Sequence, residues 1–589
     1  MEYPMLKSPA ETRQTLDKFR GYVHAQRTPE GAFYHMENMT SDHYPVLSSR
    51  KRRGVYLRGA NPQGLIGKDR LCYADDGDFY IAGEKVEGLS LCVSCDGCSR
   101  KDICAGFVSG KTRCQKQMVS MGGYVLIFPD KKWVQTVKTG ETYSFGDMEH
   151  VWTSEGKGVT LTLCKADGTS YGAISQTKPA SPAEGALWME NDYSTPHLYQ
   201  YSQGSWVAVE NTYVRISSPQ IGAGFSQYDG ITIEGLASEN LDGAATVWIV
   251  TDGSIVVSGL IAQNTTLTAD VTVTRSVPEM DYVTVCANRL WGCRYGKNKQ
   301  GDFVNEIYCS MLGNFKNFQS FMGISTDSAI LSLGSDGPFT GAITYLDHPL
   351  FFKENMLHKI YVSDTGGHSV SHTPCRGVGM GSGKSLAIVG EVLYYKTRSG
   401  VCAYDGSLPV EVSQDLGSEA AGAGVAGVYG SKYYLGLENH LFVYDTAKGM
   451  WHREDSLQAE AFCDCGDELY AIAEDKIIGL LGAGGDPEEK VHWAAETGFF
   501  GLSDPESKYL DRLSLRMALE RGATVSVSVR YDFSPEFEHI ATVTGKELGS
   551  FTLPILPKRC DVLRLRLEGQ GDMKLFSLTK TMGQGSDIP

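Results

Sequence analysis

The feature that most constrains this chain is a recurring two-strand unit. It reads YVTVCANRLWGCRYGKNKQGDFVNEIYCSMLG from Tyr282 and returns as HPLFFKENMLHKIYVSD from His348, EVLYYKTRSGVCAYDG from Glu391, KYYLGLENHLFVYDT from Lys432 and DELYAIAEDKIIGLL from Asp467. Each copy is an apolar-aromatic run, a polar turn and a second run ending in Tyr plus a small or acidic residue, as a pair of adjacent antiparallel strands requires. The copies start some tens of residues apart, a period at which one small sheet cannot bury its face alone and packs against the next. The expectation is an all-β chain: a β-propeller of about six blades with an inserted β domain and a C-terminal β-sandwich.

At 589 residues the chain exceeds one hydrophobic core. Residues 1–53 read as an N-terminal arm with one short amphipathic helix around Thr12 to Tyr22, packing on a neighbouring subunit or domain. Residues 54–150 carry the first blades, RLCYADDGDFYIAGEKVEG and SMGGYVLIFPDKKWVQTV, around a Cys-rich loop at 90–116. Residues 151–278 change to Asp, Ser and Gly turns between aromatic runs and read as an inserted β domain. The remaining blades follow over 279–487, and 488–589, with long two-sided alternation, reads as the sandwich.

The formal charge of −16 is spread along the chain, and a binder relying on phosphate neutralisation is expected to be basic. The basic cluster Arg50-Lys51-Arg52-Arg53 reads as a solvated or intersubunit patch. No stretch approaches the roughly 18 apolar residues of a membrane span. The N-terminus lacks the apolar core of a secretory signal, so assembly in a reducing cytoplasm is expected, with the fifteen cysteines as buried thiols or metal ligands.

Two nucleotide-binding patterns fail on context. Gly422-Ala-Gly424-Val-Ala-Gly427 leads into a strand where the dinucleotide fingerprint needs a helix. Gly377 to Ser385 ends like a P-loop, but Val378 stands where its first glycine belongs and a strand follows. An interblade glycine loop is the expectation for the first and a flexible connection between blades for the second.

The sharp chemical signal is Cys92-x-x-Cys95-x-x-Cys98-x5-Cys104, followed by Cys114. Four thiolates can organise a polar loop around structural zinc, so Cys92, Cys95, Cys98 and Cys104 are the candidate metal ligands, with free or late-oxidising thiols as the alternative. The nearby Arg100, Lys101 and Arg113 are expected to favour thiolates. Cys463 and Cys465 share a strand face and read as core. His368 and His372 have a ligand-like spacing but read as loop. No motif announces a nucleophile with its base or paired acids, so a non-enzymatic chain is expected.

Several stretches carry a resemblance: ENMTSDHYPVLSSRKRRG, MDYVTVCANRLWGCRYG with NEIYCSMLGNFKNF, GSDGPFTGAITYLDHPLFFKENMLHKIY, GVCAYDGSLPVEVS, LFVYDTAKGMWHRED and FTLPILPKRCDVLRLRLEGQGDMKLFSL. With these the chain resembles the β-propeller nozzle or stopper proteins of short-tailed phages and Firmicutes prophages, also called tail tubular or packaged-DNA stabilisation proteins. The resemblance covers most of the chain outside about 90 to 115 and 150 to 225. It implies a virion structural protein of the tail or head-tail connector, assembled in the host bacterial cytoplasm. It also implies a homo-oligomeric ring, a hexamer, bound to other tail or connector proteins, around a channel through which DNA is retained and ejected. The Cys92 to Cys114 loop does not belong to that pattern. A conduit must not grip DNA, and an acidic wall keeps the duplex hydrated and mobile. The alternative readings are a receptor- or glycan-binding tail-tip protein, using Trp188, Tyr199, Tyr201 and Trp206, and a carbohydrate-active propeller enzyme.

Overall fold

The computed structural model describes residues 11–94, 114–191, 196–236, 241–298, 301–363, 367–482, 485–503, 506–545 and 547–584. Six four-stranded antiparallel sheets, each an up-and-down meander, and one five-stranded sheet make up the propeller. Blade 1 spans 62–85, blade 2 117–147, blade 3 282–332, blade 4 341–374, blade 5 387–411 and blade 6 425–453. Blade 7 takes three strands from 461–479, a fourth from Gly54–Arg58 and a two-residue fifth from Asp486–Pro487.

What closes the ring is a cycle of shared cores. Blades 1 and 2 enclose Phe79, Val125 and Ile127, blades 2 and 3 Leu126 and Leu290, blades 3 and 4 Trp291 and Phe351, and blades 4 and 5 Phe352 and Tyr395. Blades 5 and 6 enclose Val401 and Tyr433, blades 6 and 7 Leu441 and Leu469, and blades 7 and 1 Ile477 and Tyr73. Each blade buries both faces, which a lone sheet cannot do, and this is the arrangement of a β-propeller. The expected count of about six blades is corrected to seven. Blade 7 is incomplete in consecutive sequence because its fourth strand lies some four hundred residues upstream.

The N-terminal segment corrects a second expectation. Residues Glu11–Leu16 form a strand, not a helix, paired antiparallel with Met573–Gln584 from Glu11↔Gly583 to Leu16↔Leu578. The Thr15 and Thr579 hydroxyls meet across this pair at 3.0 Å. An open sheet edge offering a full row of backbone partners outweighs the modest helix propensity of ETRQTL. Phe33–Glu37, Met39–Thr40 and Leu47–Ser49 join the same sandwich. One of its sheets runs 39–40, 47–49, 573–584, 508–519, 549–553, and the other runs 33–37, 492–497, 563–570, 524–531, 538–544. The sandwich is thus built from both ends of the chain, and its core is continuous with that of blades 5 and 6 through Tyr22, Trp451 and Phe442.

Within the Arg50 to Arg53 cluster, expected to be a solvated or intersubunit patch, Arg50 and Arg53 are buried, while Lys51 is exposed and Arg52 half-exposed. Arg53, 4% exposed, bonds Glu454 at 2.7 Å and Asp455 at 2.5 Å. Arg50 makes a two-pronged contact with Glu488 at 2.7 and 3.0 Å. These pairs fasten the chain between sandwich and propeller.

Between blades 2 and 3 an inserted unit forms an eight-stranded sheet from His150–Thr153 to Thr272–Arg275, beside a four-stranded sheet over 174–208. It has its own core around Ile216, Ile231 and Val257. Buried Arg275 holds it to the propeller by pairing with Asp229 at 2.6 Å and donating to the Met148 carbonyl at 2.8 Å. Asn317 from blade 3 donates to the Tyr228 carbonyl at 2.6 Å.

Candidate functional site at the cysteine-loop anchor and the propeller axis

Of the candidate zinc ligands, Cys92 lies at the rim of blades 1 and 2; Cys95, Cys98 and Cys104 lie outside the described residues. Both stems of the loop converge on one buried ion pair. Lys116 Nζ sits 2.7 Å from Asp130 Oδ2, with side chains 0% and 3% exposed. The same ammonium donates to the Cys92 carbonyl at 2.7 Å and to Cys114 Sγ at 3.3 Å, while Asp130 accepts from the Cys92 amide at 2.6 Å. Buried Gln63 repeats the staple: its amide nitrogen donates to the carbonyls of Cys92 at 2.7 Å and Cys114 at 3.1 Å, and its oxygen accepts from the Gly77 amide.

This anchor brings the Cys92 and Cys114 thiols within hydrogen-bonding reach of each other. Arg100, Lys101 and Arg113, expected to favour thiolates, lie outside the described residues. Partial burial, then the Cys114 sulfur, push the Cys92 thiol above its ordinary value and outweigh the lowering by Lys116. Two neighbouring sulfurs suit a soft metal or a disulfide. Among the described residues no three His, Cys, Asp or Glu side chains converge as a metal site.

The propeller axis is the other place where chemistry concentrates in such folds. Its seven innermost strands read PQGLIG, QMVSM, YVTVC, GAITY, AIV, VAGVY and AFCDC, in which Asp464 alone carries a formal charge. At the entry end of these strands the axis is stoppered. Lys384, Gln115 and Glu460 precede blades 5, 2 and 7, which are not neighbours, yet Lys384 donates to Gln115 Oε1 and Gln115 donates to Glu460 Oε2 at 3.0 Å. Side chains from such separate blades meet only over the centre.

The P-loop-like run therefore has an ordered structural role, which corrects the expected flexible connection. Gly383–Ser385 is a short 3-10 turn crossing the axis mouth. Ser382 Oγ accepts from the Gly424 amide at 3.1 Å, and the Ser385 carbonyl accepts from Tyr433 at 2.8 Å. At Gly383 a Cβ would stand 2.5 Å from the Tyr282 ring, so the turn needs glycine.

His372 belongs to a strand, Ser369–Pro374, and not to a loop; it faces His358 in register. Buried His358 meets the Ser335 hydroxyl at 2.9 Å. Cys463 is buried and Cys465 half-buried on one face. The aromatic residues of the insertion pack on one another: Trp188 stacks on Tyr199 at 5.2 Å and meets Trp206 edge-on at 5.7 Å, and Tyr201 meets Trp206 at 5.3 Å. The Lys116–Asp130 anchor and the axis stopper escaped the sequence, since nothing local marks residues that converge from different blades.

The geometry defines an all-β protein with a plugged propeller, an inserted β unit and a sandwich closed by both termini. No family model and no curated protein matches the chain. Among solved structures it is similar to PorZ, a surface component of the type-IX secretion system of Porphyromonas gingivalis, at 11% identity and a TM-score of 0.26, over 83% of this chain and 70% of that one. It is also similar to the phage phi92 endosialidase at 10% identity and a TM-score of 0.23, over 72% and 70%. Likeness this low carries no argument about function.

Proposed function

We propose that this chain is a structural protein of a phage tail, a nozzle or stopper subunit that assembles with copies of itself into a ring around the DNA channel and has no reactive centre of its own. The resemblance in the blade and terminal segments motivates the reading, and one observation carries it. The loop over 311–328 of blade 3 leaves Leu312, Phe321, Met322 and Ile324 between 36% and 56% exposed.

That loop is held in place by polar contacts. Arg289 donates to the carbonyls of Ser310, Ser325 and Asp327 at 2.7 to 2.8 Å, and the Asp327 carboxylate accepts from the amides of Gly323 at 2.6 Å and Ile324 at 3.1 Å. An apolar group of this kind on a preformed loop suits protein association, because little ordering entropy remains to be lost on contact. The stoppered axis adds a geometric consequence: in such a ring the DNA conduit runs between subunits, not through each propeller.

Negative-stain imaging of the purified protein and of the native particle tests the reading. Rings on the tail axis are expected, and Phe321→Asp with Ile324→Asp is expected to leave folded monomers. A monomeric wild-type chain absent from the particle would sink the proposal. The half-exposed aromatic group at Trp206, with Lys178 Nζ 4.8 Å over the Trp188 ring, favours a second reading as a glycan-binding tail-tip protein, for which glycan-array binding is the discriminating result.

A further inference from the structure

A crevice of about 570 Å³ opens between blade 6 and the sandwich. Lys51, Lys432, Lys574, His43 and Arg50 line it, Arg50 being held by Glu488, and Asp42 and Asp572 are its acids. Lys432 is committed to Asp42 at 2.5 Å and to the Thr40 hydroxyl at 2.9 Å. Among the described residues, neither Lys51 nor Lys574 has an ion-pair partner. Three of the four charged groups that act on the His43 ring are these ammonium groups, Asp42 being the fourth.

In a chain of net charge −16, three ammonium groups gathered where only Lys432 has an ion-pair partner stand out. Like charges brought together repel by an amount that a bound anion removes, so the arrangement is explained by a ligand more readily than by stability. Hydroxyls accompany the cations: Ser48 Oγ lies 3.2 Å from His43 Nδ1, and Ser49 and Ser431 also line the crevice. Tyr429, Leu481 and Met573 add apolar surface to the lining. The cations suit a phosphate and the apolar residues an uncharged ring, in a volume within the range of small-molecule sites.

We propose that this crevice binds a phosphomonoester attached to an apolar or aromatic group, of the size of a nucleoside monophosphate, with the phosphate on Lys51 and Lys574. The site lies apart from the exposed blade 3 loop and stands whether or not the chain forms rings. Such a ligand has two sources, a free mononucleotide and the phosphorylated end of a nucleic-acid strand.

Titration calorimetry on the full chain, at constant ionic strength, tests it with inorganic phosphate, adenosine monophosphate and a short 5′-phosphorylated oligonucleotide. The monophosphate is expected to bind with a dissociation constant below about 1 mM and more tightly than phosphate alone. Lys51→Ala with Lys574→Ala is expected to weaken it at least about tenfold. Lys51→Ala alone, at an exposed position, keeps the test sound if the double variant fails to fold. An oligonucleotide that competes with the monophosphate identifies a strand end as the source, and one that is excluded identifies a free nucleotide; either sustains the site. No binding of the monophosphate, binding no tighter than phosphate, or binding unchanged in the lysine variants would overturn it.

Discussion

The Lys116 ammonium lies 2.7 Å from the Asp130 carboxylate, sealed from solvent, and this one pair holds both stems of the cysteine loop. Removing one partner leaves an uncompensated buried charge, so Lys116→Met is expected to cost about 3 to 5 kcal/mol. Lys116→Met combined with Asp130→Asn should cost less than the sum of the two single changes. Urea unfolding of the three variants measures this, and additive losses would show that the pair is not coupled.

Arg53 gives an acid-dependent prediction. Burial alone would raise the Asp455 carboxyl, but Arg53 and then Arg50 hold it below its ordinary value; the same balance, with Arg50 leading, lowers Glu488. A carboxyl depressed in the fold contributes stability in full above the unfolded value near 4, and that contribution is lost as pH falls through the lower folded value. Arg53→Met should therefore lower Tm at neutral pH and reduce the stability lost between neutral and acid pH. An unchanged acid limb would contradict the role given to Arg53.

Two buried imidazoles act in the next pH window. Burial, then Lys432, push His452 down to about 3, against Asp445. Burial, then His372 and Lys353, push His358 to about 4, against the Phe351 backbone contact. Both stay neutral in the fold while the unfolded chain takes up protons near 6.5, so their stabilisation is full above that value and declines as pH falls toward 4. The slope should reach about 1.4 kcal/mol per pH unit for each group. Chemical denaturation between pH 7.5 and 5 is expected to show a shallower slope in His452→Gln, and an identical slope would rule this out.

Ring closure makes a steric prediction at Gly67. A Cβ there would stand 1.8 Å from the Asp464 carbonyl oxygen, where blade 7 meets blade 1. Backbone cannot yield as a flexible side chain does, so Gly67→Ala is expected to cost about 3 kcal/mol. A variant within about 0.5 kcal/mol of wild type would mean that the two blades can separate at little cost.

The axis stopper predicts a rigid centre. Lys384→Met removes the donor that joins Gln115 and the Glu460 carbonyl across non-neighbouring blades. Amide exchange is expected to quicken in the entry ends of blades 2, 5 and 7 together. Exchange confined to blade 5 would indicate that the contact is peripheral.

By itself the sequence determined the all-β character, the blade hairpins such as Lys432–Asp445 and the glycine-marked turns. Strand alternation and turn chemistry act over a few residues and are written where they act. Only the tertiary structure decided that Gly54–Arg58 completes a seventh blade, that Glu11–Leu16 is a strand against Met573–Gln584, and that Arg53 is buried beside Glu454. It also placed Lys384 over the axis and Lys116 between Cys92 and Cys114. Each of these depends on a partner on another blade or at the other end of the chain, and a residue's own neighbours do not disclose which distant edge, charge or carbonyl it will meet.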